Sequence, residues 1–290
     1  MIAVVGALCM DIIAKKDYFT PGTSNPSSIT FGLGGVGYNI FQGIQGEKRF
    51  ITNRIEPEQL LSFFGDDVNT EDIEFLPGKS VRPPVYVALM EKGLLHIGAS
   101  DFSDFESTLS GAAIIDALNR IGKLDFLVLD GNLSSEVLKE VTNAFSDKVK
   151  IAFEPISVEK AVRHREGVSG VFLATPSTEE LWGFIAGGVT PESMAGPPPA
   201  ASIFQYMQRN KIQHIICTQG PEGVTWYHKG KMVHMKPEKV LSVQDTNGAG
   251  DRLMGRLITN IAKNKDVRLS IQMAQKDTAQ YIQERNGDEG

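Results

Sequence analysis

The strongest constraint on the fold is a rhythm in the chain. Short, continuous, β-branched-rich apolar runs recur at residues 2–5, 49–51, 85–90, 126–129, 150–153, 170–173, 212–217 and 224–228. Several are unbroken rather than alternating, the pattern of strands covered on both faces. Between them lie amphipathic stretches of helical period at 38–45, 57–64, 112–122, 135–145, 199–210 and 249–263. From about residue 112 onward strand and helix alternate, which predicts a parallel sheet with helices on both sides. Two early segments break the alternation. Residues 15–33 and 79–98 carry strand-like runs and turn residues but no helical pattern. They are expected to form a small separate sheet over the C-terminal edge of the main one.

Length and composition are compatible with this. The chain has 290 residues, 41% of them hydrophobic and 22% charged, enough for a large core. A net charge of −6 provides no global positive field for a nucleic-acid polymer. No apolar run is long enough to span a bilayer, and the first residues lack a signal-peptide layout, so a cytoplasmic location is expected. The two cysteines, Cys9 and Cys217, sit in apolar runs and read as reduced, buried thiols. The five histidines show no paired metal-ligand spacing. Trp182 and Trp226 read as packing residues, and Arg163-His164-Arg165 as a solvated helix face.

The chemistry is concentrated in Asp245-Thr246-Asn247-Gly248-Ala249-Gly250-Asp251, a small-residue loop opening into a helix. Backbone N–H groups at a helix start have no partner within the helix, and the helix dipole adds positive potential. Glycines let a phosphate approach that backbone closely. A carboxylate at Asp251 would repel a phosphate, so its fitting role is a base acting on a hydroxyl that attacks phosphorus. An ordinary acidic helix start is the alternative. A second glycine cluster, Gly34-Gly35-Val36-Gly37-Tyr38-Asn39, also precedes a helix, and Asn39 offers a donor and an acceptor suited to sugar hydroxyls. It fails as a dinucleotide fingerprint, which disfavours a dinucleotide-dependent redox enzyme. Asp11 follows the first apolar run, where carboxylates commonly face a ligand crevice.

The early Gly-Gly-x-x-x-Asn and the late Asp-Thr-x-Gly-Ala-Gly-Asp, about 200 residues apart, together resemble the ribokinase-like (PfkB-type) carbohydrate kinase family. Within it, Thr23-Ser24-Asn25-Pro26 and the segment from Phe153-Glu154-Pro155 through Ser157-Val158 to Lys160-Ala161 are similar to segments of pseudouridine kinases. Asp130-Gly131-Asn132-Leu133-Ser134 and residues 99–106 also look like family segments. The resemblance implies a three-layer α/β/α ribokinase-like sandwich with a small β-sheet lid, the lid segments at about 15–33 and 79–98 being inserted in one kinase domain over 1–290. It implies a homodimer formed through the lid. It also implies ATP and Mg2+ as cofactors, and leaves a monovalent cation open.

The resemblance assigns roles residue by residue. Asp11, Gly35 and Asn39 would hold ribose hydroxyls, with Glu154 near the substrate or metal. Thr218, Gly220 and Gly223 would meet the nucleotide, and Glu180 would organise the metal through water. Gly248, Ala249 and Gly250 would form an anion hole, with Asp251 the catalytic base. The sequence departs from the family at Ser177, where Asn is usual, at Arg252 and Leu253, where a small residue and Phe are usual, and in a compressed stretch at 45–68. The expected reaction is phosphorylation of the 5′-hydroxyl of a ribosyl nucleoside, with pseudouridine favoured. Another sugar or nucleoside kinase, and a catalytically silent ligand-binding protein on the same scaffold, remain the alternatives.

Overall fold

The computed structural model describes residues 1–55, 70–189, 196–237 and 248–287. The helix expected at 57–64 lies outside them. Among the described residues a nine-stranded sheet has the order β13-β12-β11-β10-β9-β8-β1-β4-β5. Its strands are β1 (Ile2–Val5), β4 (Lys48–Thr52), β5 (Ile73–Phe75), β8 (Phe126–Asp130), β9 (Lys150–Glu154), β10 (Leu173–Ala174), β11 (His214–Thr218), β12 (Val224–His228) and β13 (Lys231–Met235). From β5 across to β11 every pairing is parallel, and β12 and β13 close one edge antiparallel. The central strands are buried on both faces, β8 along its whole length, as their unbroken apolar runs require.

Helices cover both faces. On one side α3 (Gly111–Ile121), α4 (Ser135–Phe145), α5 (Val158–His164), α6 (Thr178–Ala186) and α7 (Ala200–Arg209) pack on Val5, Leu127, Leu129, Ile151 and Phe153. On the other, α1 (Val36–Gly43), α8 (Ala249–Ala262) and α9 (Val267–Gly287) pack on Val4, Phe50, Val128 and Ile216. A short α2 (Ser103–Thr108) precedes α3. Ser110, Ser134 and Ser157 cap α3, α4 and α5 by accepting a backbone N–H. The architecture is the expected three-layer sandwich.

The smaller sheet has the order β3-β2-β6-β7, from β2 (Cys9–Lys16), β3 (Ser28–Gly34), β6 (Val85–Glu91) and β7 (Leu94–Asp101). It corrects one reading. Asp11 does not follow the first strand; it lies inside β2, opposite Gly32 and Tyr86. The apolar run from Ile2 to Met10 is split because the chain must leave the main sheet at Gly6. A side chain there would meet the Asp130 carboxylate at 2.4 Å and Gly37 Cα at 3.1 Å. The strand expected at 170–173 also starts later, since Gly170 adopts φ +73°. Both cysteines are free and buried. Of the expected solvated face, Arg163 is exposed but His164 is not. His164 is buried with Nε2 3.1 Å from the Gly131 carbonyl, and Arg163 bonds that carbonyl and Glu106.

Candidate active site

The C-terminal ends of β8, β9, β10 and β11 bring Asp130, Glu154, Thr175 and Thr218 to one edge of the main sheet, the edge where parallel α/β sheets bind ligands. Across from them stands the N-terminus of α8. Gly248, in the left-handed region at φ +74°, turns the chain into it, and Ala249, Gly250 and Asp251 form its first turn. Among the described residues a methyl group built on Gly250 would meet nothing within 4 Å. Asp245, Thr246 and Asn247 lie outside the described residues.

Asp251 is held in place by α1. Asn39 Nδ2 donates to Asp251 Oδ2 at 2.9 Å, joining two glycine motifs 212 residues apart. Gly35 makes this approach feasible. At φ +98° it caps α1, and a Cβ there would lie 2.5 Å from the Ala7 carbonyl. Burial pushes the Asp251 carboxyl up to about 7. The Asn39 hydrogen bond opposes that rise, while the negative charges of Asp130, Glu180 and Asp11 add to it. Asp11 sits on the same side of the smaller sheet as Gly34, whose missing side chain leaves room for its carboxylate. Burial raises Asp11 as well.

Glu154 and Glu180 form a second carboxylate pair. Thr175 donates its hydroxyl to Glu154 Oε2 at 2.5 Å, and the Ile156 N–H lies 3.4 Å from Oε1. Ile156 is held at φ +72°, a conformation costly for a β-branched residue and common at functional turns. Burial, then the charge of Glu180, raises Glu154 well above the ordinary carboxylate range. Glu180 is raised by burial too. Its Oε2 accepts the Ser177 N–H at 2.7 Å while Ser177 Oγ accepts the Glu180 N–H, a complete capping box for α6. Serine at 177 thus has a helix-capping use that fixes Glu180. Among the described residues no three His, Cys, Asp or Glu side chains are arranged to hold a metal ion directly.

Thr218 ends β11 beside Ser177, to which it is bridged. A single turn at Gly220–Glu222 then leads through Gly223 into β12. Gly223 adopts φ +94°, and a side chain there would lie 2.2 Å from the Met235 carbonyl. Arg252, the departure beside Asp251, pairs with Asp277 at 2.8 Å and lies over the Tyr281 ring.

One group was not singled out from the sequence. Asp130 is fully buried at the end of β8, accepting from the Ala7 N–H at 3.1 Å, the Asn132 N–H at 3.0 Å and Asn132 Nδ2 at 3.3 Å. Lys160 donates to Asn132 Oδ1 and lies over the Phe102 ring, 4.6 Å from its centre. Burial lowers Lys160, and the charges of Asp130 and Glu106 oppose that. Both lie in segments whose resemblance is noted above. What showed no signal was their link through Asn132.

Comparison with known proteins agrees with this geometry. Residues 98–289 match the pfkB family carbohydrate kinase description. The chain is 20% identical to Escherichia coli pseudouridine kinase over 288 residues, 94% of this chain and 88% of that protein. It is 27% identical to Escherichia coli 1-phosphofructokinase over 195 residues, 64% of this chain and 59% of that protein. Among solved structures, ribokinase from Thermotoga maritima superposes with a TM-score of 0.75 at 19% identity, over 97% of this chain and 92% of that one. Arabidopsis thaliana ribokinase complexed with ribose and ATP gives 0.73 at 15% identity, over the same shares. The structural likenesses establish the fold, and the sequence match establishes the family. The chain belongs to the pfkB family of carbohydrate kinases.

Proposed function

We propose that the protein transfers the γ-phosphoryl group of ATP to the 5′-hydroxyl of a ribosyl nucleoside, with pseudouridine the favoured acceptor. The observation that carries this reading is Asp251: a buried carboxylate raised to about 7, oriented by Asn39, in the first turn of a helix. A base poised near neutral pH suits abstraction of an alcohol proton. In this reading the first-turn N–H groups of α8 receive the transferring phosphoryl group. Asp251 Oδ takes the acceptor proton as the oxygen attacks phosphorus. Asp11, Gly35 and Asn39 hold the ribose so that the 5′-oxygen lies near Asp251. Thr218, Gly220 and Gly223 take the nucleotide side of the cleft.

A magnesium ion would offset phosphate charge there. The residues fit one bound through water: Glu154 and Glu180 are disfavoured as anions by burial, Glu154 also by the charge of Glu180, and a cation would relieve both. The preference for pseudouridine rests on the 153–161 and 23–26 segments and on the 88% coverage of the Escherichia coli pseudouridine kinase. The 27% identity to 1-phosphofructokinase favours a second reading, in which the acceptor is a sugar phosphate or free sugar. A panel of nucleosides, sugars and fructose 1-phosphate, assayed for ATP consumption, separates them. Pseudouridine is expected to give the highest kcat/KM, above uridine, adenosine and ribose. A panel in which a plain sugar or sugar phosphate wins overturns the nucleoside assignment and leaves the kinase.

A further inference from the structure

The smaller sheet has two unlike sides. Strand register sets Gly32, Asp11, Tyr86 and Ser100 in one row across it, all facing one way. That side carries Asp11, whose carboxylate fills the space at Gly34, and Gly34 leads directly into Gly35 and α1. It is therefore the side turned toward Asp251 and Asn39. Met10, Val85 and Asp101 face the other way, into a separate cavity of about 220 Å³ lined also by Arg82, Pro84 and Phe105.

Tyr86 is the one aromatic side chain of these four strands on the site side. It is half-buried. Its ring lies across the sheet over Gly98, diagonal to it on β7. A methyl group at 98 would sit 2.8 Å from the Tyr86 hydroxyl and 3.2 Å from the ring edge. The sheet thus holds the hydroxyl end and one edge of the ring against Gly98, on the side of the sheet that carries Asp11. Burial raises the phenol, and the charge of Asp11 adds to that, so the two groups share one microenvironment and the hydroxyl stays protonated.

This inference rests on the nucleoside reading above. If Asp11 holds ribose hydroxyls, the substituent at C1′ projects from a sugar seated one strand away from Tyr86. We propose that Tyr86, laid over Gly98, is a specificity-determining residue: it packs against the planar base attached to C1′, and its hydroxyl donates to a base carbonyl. Free sugars lack that ring and gain nothing from it. Aromatic packing of this kind contributes about 1 kcal/mol, roughly a fivefold to tenfold preference.

The test measures dissociation constants of pseudouridine and of D-ribose by calorimetry for the parent, Tyr86→Ala, Tyr86→Phe and Gly98→Ala. The readout is the ratio of ribose to pseudouridine dissociation constants. The inference predicts that this ratio falls about tenfold in Tyr86→Ala and less in Tyr86→Phe, which keeps the ring. Gly98→Ala, which displaces the ring without altering Tyr86, should lower it as well. A ratio unchanged in both Tyr86→Ala and Gly98→Ala overturns the inference while leaving the nucleoside reading intact. A parent that binds ribose but neither pseudouridine nor uridine overturns the nucleoside reading, and this inference falls with it.

Discussion

At the scale of single residues the site is a problem of charge. Asp251 has an ordinary value of 3.8 and a folded value of about 7, raised first by burial. Its charged form is therefore disfavoured in the fold, and the stability it costs appears as pH climbs from about 4 to about 7. Asp251→Asn removes that cost. The variant should melt near the parent temperature at about pH 3.5, where Asp251 is protonated in the folded and the unfolded chain alike, and above it at pH 8. Equal melting temperatures at pH 8 would show that Asp251 is not the strained anion described here. Asn39 acts the other way, since its hydrogen bond favours the charged carboxylate. Asn39→Ala should move the acidic limb of the kcat/KM profile to higher pH by about one unit, the scale of a lost hydrogen bond to a charged group. A limb that stays in place separates Asn39 from the base. Asp251 and Asn39 were both legible in the sequence, because glycines before a helix start advertise them. Asp130 and Lys160 were not, because a link through Asn132 between two distant segments leaves no local periodicity or spacing to read.

At the scale of elements, the glycines divide into two kinds. Gly250 lies in a helix without a positive φ, and a side chain there meets nothing among the described residues, so its conformational freedom is not needed. Gly250→Val should fold and melt within about 2 °C of the parent while raising KM for ATP, since the side chain stands in the first turn of α8 where the phosphates are proposed to bind. An unchanged KM for ATP would place the phosphates elsewhere. Gly35 and Gly223 are different: each has a positive φ and a carbonyl within 2.5 Å of where a Cβ would stand. Alanine at either should lower the melting temperature markedly. Sequence alone could not sort these glycines, because the distinction lies in backbone angles and in which distant carbonyl comes near. The strands were legible from their apolar runs and the helices from their amphipathic period, the edge strand Val224–His228 and the helix Ser135–Phe145 to the residue. The departure of the chain from the main sheet at Gly6 was hidden. Ile2 to Met10 is one apolar run by composition, and the closeness of Asp130 and Gly37 that requires glycine at position 6 appears only in the fold.

At the scale of the whole molecule, the smaller sheet does two things at once. Its site side carries Asp11 and Tyr86, and its other regions expose Ile29, Phe31, Leu94, Leu95 and Ile97, each more than half accessible. Exposed apolar side chains grouped on one sheet mark an association surface. We propose that two copies pair through it. Sedimentation velocity should show a dimer, and Phe31→Glu, which introduces charge on that surface, should shift it to monomer. A parent that sediments as a monomer contradicts the pairing.

The central claim is that this carbohydrate kinase uses Asp251 as its base. The direct measurement is ATP-dependent turnover of the preferred acceptor by Asp251→Asn beside the parent, with ATP affinity measured on the same preparations. Loss of a positioned general base predicts a kcat lower by about 100-fold or more, with ATP binding retained or slightly tightened because a negative charge near the phosphates is gone. Near-parent turnover by Asp251→Asn would contradict the account.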